Sequence, residues 1–382
     1  MPPPNFRGKL IISSRCSQTI YTQRIHLARM ARDNGWQVVL AGDQSIGDFS
    51  ALLRLEDFNF VDITVDQKSL NPVHLFRLVG QYIKLFRGER PTVFHAFTIK
   101  PIIAGLIAAR LSKVPVRIAT VAGLGHVFLS SSALVRGLSI ALLRIAASCA
   151  HRVNFYNKAD RDEYVRRGIV PIEKTALIAG SGIDMARFPP LPWPDSSEVF
   201  SILYIGRLLR EKGVPELLEA AKRLQQAGVA VKINLVGDVD TNNPSSLSRA
   251  EMDAAVQSGL VDWHGFATDI RPHVAKAHAV ILPSHREGIP LALLEAGAMG
   301  RALIATNVPG CREVVINGVT GLLTPLGDVD ALAKAIATLA QTSDMVKAMG
   351  HAARQDILAR FDTHVVNTIV IDAYETLLAE QF

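Results

Sequence analysis

Cysteine is scarce in this chain of 382 residues, which has three, at Cys16, Cys149 and Cys311. They are far apart and odd in number, so they do not form the paired framework of a small disulfide-stabilised domain. Their spacing also lacks the close pairs that bind structural zinc. We therefore expect a protein of a reducing compartment that is held together by its core, since 49% of its residues are hydrophobic.

Long apolar runs are also missing. The longest stretch without Asp, Glu, Lys or Arg covers residues 118–135 and contains a histidine, two glycines and three serines. It is therefore not the predominantly apolar run of about 20 residues that a membrane-spanning helix requires, and the sequence predicts no such helix. The apolar run near the amino terminus covers only residues 10–12, which is too short for a signal peptide. Basic runs with interleaved aromatic residues are absent, which argues against nucleic acid as a partner. The glycine-rich motifs of dinucleotide oxidoreductases and P-loop kinases do not occur either.

The net charge of +6 is unevenly distributed. Residues 1–190 hold 25 Lys and Arg against 13 Asp and Glu, whereas residues 191–382 hold 16 against 22. A basic half beside an acidic half indicates two domains with different neighbours. Either this serves solubility alone, or the first half faces an anionic lipid or an anionic acceptor.

Short apolar runs alternate with helical patterns along the chain, which predicts an α/β fold with parallel sheets and helices on both faces. The predicted strands of the first half are residues 9–14, 37–41, 59–65, 92–95, 116–121, 152–156 and 175–178. A proline-dense segment, residues 186–198, is predicted to be a linker. The strands of the second half are 199–205, 230–236, 261–264, 279–282, 302–305 and 321–323. The predicted domains are therefore residues 1–185 and 199–362, followed by a helix over 363–382.

The stretch from residue 281 to 306 carries the most specific chemistry. A buried strand leads through Glu287 and Gly288 into a helix predicted to begin at Pro290, because proline suits the first helical position. Gly288 lets a ligand approach the backbone, and the free N–H groups of the first turn bind phosphate. Glu287 and Glu295, eight positions apart, would repel phosphate but accept hydrogen bonds from hydroxyls.

A nucleotide sugar, with phosphates at its centre and hydroxyl-rich ends, fits both features, with sugar hydroxyls at Glu287 and ribose hydroxyls at Glu295. The alternative is that Glu287 is a surface-loop residue and Glu295 a solvated helix residue, and that neither binds a ligand. The stretch resembles the E-x7-E signature of the retaining glycosyltransferases of family 4, which have the GT-B fold. That resemblance implies two Rossmann-like, doubly wound parallel-sheet domains facing a central cleft, with the C-terminal helix packed back on the N-terminal domain.

A second motif follows the predicted strand at residues 199–205. Gly206 makes the turn, and Arg207 and Lys212 follow at the carboxyl end of a strand, where two cations could hold a diphosphate. Solvated loop cations are the alternative. The segment resembles the family's G-R-x-x-x-E-K-G motif, which implies that Arg207 and Lys212 hold the donor phosphates. Together with the E-x7-E signature, the resemblance implies catalytic roles for Arg207, Lys212 and Glu287. The donor-binding residues that the resemblance implies are Gly206, Arg207, Lys212, Gly237, Phe266, Glu287, Gly288, Ile289, Pro290, Leu291 and Glu295.

Three segments of the first half, residues 95–101, 120–126 and 180–184, resemble a family 4 subgroup that extends lipid-linked oligosaccharides. The implied acceptor-side residues are His95, Lys100 and His126, although a structural histidine is the alternative for His95 and His126. Two features depart from the family pattern. The loop at residues 13–18 lacks a Gly-Gly pair, and Ala122 stands where many members have histidine.

A basic, apolar segment covers residues 133–150. Arg136 and Arg144 lie eight positions apart, and Arg152 continues the series, so the arginines follow one helical face. This segment is either an ordinary packed helix with one solvent-exposed edge or a surface that lies shallowly in an anionic bilayer leaflet.

The sequence thus predicts a retaining hexosyl or N-acetylhexosaminyl transferase that moves a sugar from a UDP-sugar to a polyprenyl-diphosphate-linked saccharide in cell-surface polysaccharide or glycan assembly. We expect no metal and no cofactor, because the two cations already serve the phosphates. We also expect a cytoplasmic protein, peripheral on the cytoplasmic face of the membrane. Two alternatives stay open: a GT-B sugar-nucleotide epimerase and a catalytically silent, nucleotide-sugar-binding membrane scaffold.

Overall fold

The computed structural model describes residues 7–45, 47–65, 72–123, 133–194 and 199–381. The chain divides into two compact units, residues 1–182 with 363–382 and residues 183–362. The chain therefore crosses between the units at residues 182–183 and 362–363, where the sequence analysis places boundaries at 185 and 362.

The first unit is built on a seven-stranded parallel sheet. Its strands are β1 Gly8–Cys16, β2 Trp36–Asp43, β3 Asn59–Asp62, β4 Val93–Phe97, β5 Val116–Val121, β6 Arg152–Phe155 and β7 Thr175–Leu177. Its helices are α1 Ser17–Gln23, α2 Ile25–Asp33, α3 Ser50–Leu55, α4 Pro72–Glu89, α5 Ile99–Leu111, α6 Ala133–Cys149, α7 Lys158–Arg166 and, after the second unit, α15 Thr363–Ala379. The strand order β3-β2-β1-β4-β5-β6-β7 reverses direction beside β1, as in a doubly wound sheet.

The second unit is built on a six-stranded parallel sheet. Its strands are β8 Phe200–Ile205, β9 Val231–Val236, β10 Asp262–Trp263, β11 Ala279–Leu282, β12 Ala302–Thr306 and β13 Gly321–Thr324. Its helices are α8 Val214–Gln226, α9 Arg249–Gln257, α10 Arg271–Ala275, α11 Leu291–Ala298, α12 Pro309–Val314, α13 Val329–Ala340 and α14 Ser343–Phe361. The order β10-β9-β8-β11-β12-β13 is again doubly wound, so the predicted fold class is confirmed for each unit.

The strands are nearly continuous apolar runs because helices cover both faces of a parallel sheet. Every residue of β5, β11 and β12 is buried, and β5 and β11 have the predicted bounds. Three predictions need correction. β3 ends at Asp62, β4 continues to Phe97 instead of ending at His95, and Arg152 begins β6 and therefore does not continue the helical series of Arg136 and Arg144.

The proline-dense segment is tied to the second unit over its described part, whereas residues 195–198 lie outside the described residues. Arg301, which is fully buried, donates to the carbonyl oxygens of Leu191 at 3.3 Å and Pro192 at 2.7 Å. It also donates to the carbonyl oxygens of Val274 at 3.0 Å and Ala275 at 3.2 Å. These four acceptors compensate a charge whose burial lowers the pKa of Arg301 to about 10.

Among the helices within the described ranges, none combines the length and the apolarity that crossing a bilayer requires.

Candidate active site

The carboxyl ends of β8, β9 and β10 meet through glycine backbones. The N–H of Gly206 donates to the carbonyl of Val236 at 3.0 Å, and the N–H of Gly237 donates to the carbonyl of Gly265 at 2.8 Å. A side chain at position 237 would place its Cβ 1.8 Å from the carbonyl oxygen of Gly206, so only glycine fits. Gly206 and Gly237 therefore shape the strand edge from which the next residue, Arg207, projects.

Arg207 is exposed, and its guanidinium makes no ion pair or hydrogen bond with any residue that the structure describes. The backbone of Arg207, in contrast, is held by a hydrogen bond from the preceding strand. The hydroxyl of Tyr204, a fully buried residue of β8, donates to the carbonyl oxygen of Arg207 at 2.8 Å. Burial also raises the pKa of Tyr204, so this hydroxyl remains a donor. The arrangement holds the loop in place and leaves the cation available to a ligand.

The segment that follows β9 forms hydrogen bonds with the loop after β8, which carries Arg207 and Lys212. The sequence analysis missed this role. The N–H of Leu247 donates to the carbonyl of Leu208 at 2.9 Å, and the N–H of Arg210 donates to the carbonyl of Ser245 at 2.8 Å. The Ser245 hydroxyl donates to the carboxylate of Glu211. The one sequence signal for this role is a run of Asp, Asn, Pro and Ser at residues 238–246, which is typical of turns.

Lys212 and Glu287 form an ion pair, with 2.6 Å between Nζ and Oε1. Lys212 ends the loop after β8, and Glu287 lies in the loop after β11, the strand that pairs directly with β8. The Lys212 side chain is 23% exposed and that of Glu287 is 12% exposed, so ligand atoms can still reach both. The residues that the sequence analysis assigned to phosphates and to sugar hydroxyls thus meet at one point.

The loop carrying Glu287 is fixed on both sides. The N–H of His285 donates to the carbonyl of Glu211 at 2.9 Å, which joins this loop to the one that carries Lys212. On the other side, a Cβ at Gly310 would lie 2.5 Å from the carbonyl oxygens of both Glu287 and Gly288. The backbones on either side of the ion pair are therefore preorganised.

Pro290 is the N-cap of α11 and not its first helical residue, which corrects the sequence analysis. The helix begins at Leu291, and the carbonyl of Pro290 accepts from Leu293 at 3.2 Å and from Leu294 at 3.3 Å. Proline is tolerated one position earlier than predicted because its carbonyl can still accept the first helical bond. The N–H groups of Leu291 and Ala292 precede these bonds, so they have no acceptor within the helix and could bind an anion.

Glu295 lies one turn further along α11. Burial raises the pKa of its carboxyl to about 7, against which the positive charge of Arg187 acts weakly. The carboxyl makes no hydrogen bond with any described residue, although its surface exposure is only intermediate. A carboxyl near its midpoint at neutral pH can accept from a hydroxyl or donate to one.

Phe266 follows β10 and is 73% exposed. An aromatic ring in this position can stack on a planar group, although no contact tests the predicted role of Phe266 in donor binding. Gly288 and Ile289 connect Glu287 to the N-cap of α11, and their role in donor binding stays a prediction.

The acceptor-side candidates of the first unit separate in the structure. His95 lies inside β4, and its ring nitrogens form hydrogen bonds with the Tyr374 hydroxyl at 2.6 Å and the Thr120 hydroxyl at 2.7 Å. Because the ring is fully buried, its pKa is well below the usual value, so it is neutral. These hydrogen bonds connect α15 to the sheet, so we do not include His95 among the proposed acceptor-side residues.

Lys100 lies in the first turn of α5, while His126 falls outside the described residues. Two further features at this sheet edge escaped the sequence analysis. Thr98, between β4 and α5, has a φ of 67°, which is strained for a β-branched residue. The buried guanidinium of Arg24 lies 4.0 Å from the ring centre of Phe97 and donates to the Tyr156 hydroxyl at 2.7 Å. Neither has a local sequence signature.

Three Asp-x-Asp pairs occur in the chain, and their carboxylates serve local structure. In one of them, Asp328 accepts from the N–H of Ala331 at the start of α13, and Asp330 pairs with Arg223. Asp160 accepts from a side chain in the first turn of α7, and Asp162 pairs with the adjacent arginine. Asp238 and Asp240 accept backbone N–H groups of their own turn. Across the described ranges, no group of three or more His, Cys, Asp or Glu side chains has the arrangement of a metal site. Metal independence remains a prediction.

Comparison with known proteins adds to this geometry. The model of the family "Glycosyl transferases group 1" matches residues 199–342, and that of "Glycosyl transferase 4-like" matches residues 11–157. The chain is 26% identical over 379 residues to an N,N'-diacetylbacillosaminyl-diphospho-undecaprenol alpha-1,3-N-acetylgalactosaminyltransferase of Campylobacter jejuni, covering 96% of this chain and 98% of that protein.

A second relative is the UDP-Gal:alpha-D-GlcNAc-diphosphoundecaprenol alpha-1,3-galactosyltransferase of Escherichia coli, which is 30% identical over 275 residues, with 68% of each chain covered. Among solved structures, Anabaena HepE in complex with UDP superposes with a TM-score of 0.79 at 21% identity, covering 96% of this chain and 100% of that one. That likeness concerns the fold.

Proposed function

Because this chain belongs to the group 1, family 4-like glycosyltransferases and is therefore a glycosyltransferase, we propose that it moves a sugar from a UDP-sugar to a polyprenyl-diphosphate-linked saccharide with retention of anomeric configuration. One observation carries the donor side of this proposal. Lys212 and Glu287 meet at 2.6 Å on loops from two directly paired strands, beside the free cation of Arg207.

The donor diphosphate fits between three sources of positive charge. Arg207 and Lys212 supply side-chain cations, and the first N–H groups of α11 supply the positive end of a helix. These groups neutralise the charge that develops on the departing nucleoside diphosphate, and fixed backbones keep them in place before the reaction. Glu287 then holds sugar hydroxyls, and Glu295 holds those of the ribose.

Retention follows from attack on the face that the leaving group vacates. The bond from the anomeric carbon to the diphosphate oxygen breaks, and the acceptor hydroxyl oxygen bonds to the same face of that carbon. Its proton passes to an oxygen of the departing diphosphate. We therefore propose that this chain needs no protein nucleophile, metal or cofactor. Chelation should leave the rate unchanged, and a rate restored only by added divalent metal would contradict this.

The acceptor class is supported by the two relatives, whose names each contain an undecaprenol-diphosphate-linked sugar. We propose an acceptor of the same class for this chain, held by the first unit. Lys100 and His126 remain the proposed acceptor-side residues because their segments resemble the family 4 subgroup that extends lipid-linked oligosaccharides.

Such an acceptor lies in a bilayer, and we propose that the first unit docks on the cytoplasmic face of the membrane. Phe76 on α4 is 76% exposed, and Leu138 and Ile145 on α6 are 52% and 51% exposed. Helix α5 contacts both α4 and α6, so the two helices that carry these side chains flank the same helix. Exposed apolar side chains on a basic domain favour an anionic lipid surface.

Vesicle sedimentation tests the membrane proposal. Phe76→Ser and Leu138→Ser should lower the fraction of protein that sediments with vesicles containing an anionic lipid, whereas Leu55→Ser is the control because it removes an exposed leucine of α3. Equal loss in all three variants, or binding that does not depend on the anionic lipid, would contradict the proposal.

The reaction itself is tested with the purified chain, a panel of UDP- and GDP-sugars and a synthetic polyprenyl-diphosphate saccharide. We expect a new glycosidic bond of the same anomeric configuration as the donor, read by NMR, and only with the lipid-linked acceptor. Conversion of the UDP-sugar without acceptor into an epimer would contradict transfer, as would an inverted product.

A further inference from the structure

A hydrogen bond between two side chains joins the loop that carries Glu287 to the helix that follows Lys212. The Nε2 atom of His285, in the loop after β11, lies 2.6 Å from Oε1 of Glu216, which is in the first turn of α8. Because an ionised carboxylate has no proton to donate, Nε2 carries the hydrogen of this bond. Neither His285 nor Glu216 is among the predicted donor-binding residues.

His285 is the one partner of the Glu216 carboxylate among the residues that the structure describes. The second carboxylate oxygen, Oε2, is buried and forms no hydrogen bond within the described ranges. The side chain of His285 is 41% exposed and that of Glu216 is 21% exposed. A pair this close to solvent contributes little to the stability of a fold. Its role is therefore to be sought in the loops that it joins.

Backbone contacts join the same two loops. A Cβ at Gly213 would lie 1.9 Å from the carbonyl oxygen of Pro283, so the two chains touch there. The N–H of His285 donates to the carbonyl of Glu211 at 2.9 Å. These contacts lie one residue before and one residue after Lys212. The side chain of His285 adds a further contact, from the loop to the first turn of α8.

The ion pair between Lys212 and Glu287 is the other link between the two loops. In the proposed reaction, Lys212 binds the donor diphosphate and Glu287 binds sugar hydroxyls, so the donor competes with the ion pair for both side chains. The bond between His285 and Glu216 takes no part in this competition. It can therefore hold the loops together while Lys212 and Glu287 turn to the donor.

We infer that His285 and Glu216 are positioning residues, whose hydrogen bond keeps Lys212 and Glu287 in place while both side chains bind the donor. This inference rests on the proposed function, because it requires that the two charged side chains bind a UDP-sugar. The pair acts through the two loops and makes no contact with the donor.

Calorimetry and thermal unfolding of the full chain test the inference, with UDP-glucose, UDP-galactose and their N-acetylamino analogues as probes. For the probe that the wild type binds best, His285→Ala should lower the affinity about fivefold. The unfolding temperature without ligand should change by no more than about 2 °C, because the exposed pair adds little to stability. A merely structural role would give the reverse, a lower unfolding temperature with unchanged affinity.

Further variants test whether the two side chains act together. Glu216→Ala should match His285→Ala, and the double variant should lose no more than either, because each removes the same bond. His285→Gln keeps a side-chain N–H and should recover most of the affinity. The controls are His351→Ala, an exposed histidine of α14 bonded to Gln355 at 3.0 Å, and Glu219→Ala, an exposed glutamate of α8. Both should bind as the wild type does.

The inference is overturned if His285→Ala keeps wild-type affinity, if the losses of the two single variants add in the double variant, or if His285→Gln is as weak as His285→Ala. Each of these results leaves the proposed function intact, provided that the wild type transfers the sugar. If the wild type binds none of the four probes, the proposed function fails and the inference fails with it.

Discussion

His95 is a fully buried ionisable group of the first unit and Glu295 is a half-buried one of the second, and they differ in whether the protein supplies their hydrogen-bond partners. The two ring nitrogens of His95 are paired with protein hydroxyls at 2.6 and 2.7 Å. The carboxyl of Glu295 has no partner among the described residues, and its burial raises its pKa to about 7. A polar group whose hydrogen-bond partners are protein atoms stabilises the fold, whereas a polar group without such partners can bind a ligand.

The same difference separates the two sheet edges. In the second unit, fixed backbones present Arg207 as a free cation and leave Lys212 and Glu287 partly exposed. In the first unit, His95, one of the three acceptor-side candidates, is fully buried and bonded to side chains of β5 and α15. Substitutions at these residues therefore test the difference between the two sheet edges.

Lys212→Ala should have the largest effect on activity. Removing a cation that neutralises the leaving diphosphate should lower kcat about 100- to 1,000-fold, with thermal unfolding unchanged within a few degrees. Glu287→Ala should lose turnover as well, and the double variant should lose little more, because the two side chains act as one pair. Lys222→Ala, an exposed lysine of α8, is the matched control. Near wild-type turnover in Lys212→Ala would remove it from the site.

His95→Leu should act on stability instead. It leaves the buried hydroxyls of Thr120 and Tyr374 without their partner, which should lower the free energy of unfolding by about 2 to 5 kcal/mol, measured in urea. Turnover per folded molecule should stay near that of the wild type. His351→Leu, at an exposed position of α14, is the control and should change little. A stable His95→Leu protein that had lost turnover would return His95 to the acceptor site.

Glu295→Gln should change the pH dependence. Without ligand, the carboxyl of Glu295 has a pKa of about 7 instead of the usual 4.5. It therefore gains a proton as the pH drops from 8 to 6, and UDP affinity in the wild type should fall several-fold over that range. The glutamine variant should bind more weakly at pH 8 and show a flat profile. Equal pH dependence in both proteins, measured by calorimetry, would show that another group controls it.

The stability of this variant has a definite sign. The folded state keeps the Glu295 proton between pH 4.5 and about 7, where the unfolded chain has lost it, so the wild type loses stability as pH rises through that range. Glu295→Gln should therefore gain more unfolding free energy, relative to wild type, at pH 8 than at pH 5. A gain that is equal at both pH values would contradict the raised pKa.

Ser245→Ala should have the smallest effect. It removes one hydrogen bond to Glu211, in the loop that carries Arg207 and Lys212, and should lower kcat/KM about threefold because the other contacts of that loop remain. Ser258→Ala, at the end of α9, is the control. No change in Ser245→Ala would mean that its backbone contact alone holds the loop.

The proximity of Lys212 and Glu287 could be predicted from the sequence because their motifs contain several residues at fixed spacing on neighbouring strand ends, whereas their role in donor binding stays a prediction. Alternating apolar runs placed β8 and β11, and the parallel pairing of those strands then brings Lys212 and Glu287 together. The sequence did not predict which distant residues hold the loop after β8 in place. Tyr204 and Ser245 act through contacts with backbone atoms, and such contacts leave no pattern in the local sequence.

The acceptor side was harder for a physical reason. A single histidine near a strand end gives no indication of which face of the sheet it occupies, and β4 continues two residues past His95. The partner of His95, Tyr374, comes 279 positions later in the sequence, so only the tertiary fold reveals the pair. Arg24 and the strained Thr98 escaped for the same reason.

A crystal structure of the chain with bound UDP tests the central claim most directly. We expect the diphosphate in front of Pro290, within hydrogen-bond distance of the Arg207 and Lys212 side chains, with the ribose hydroxyls on the carboxyl of Glu295. A nucleotide bound elsewhere, with Glu295 still lacking a partner, would contradict the account.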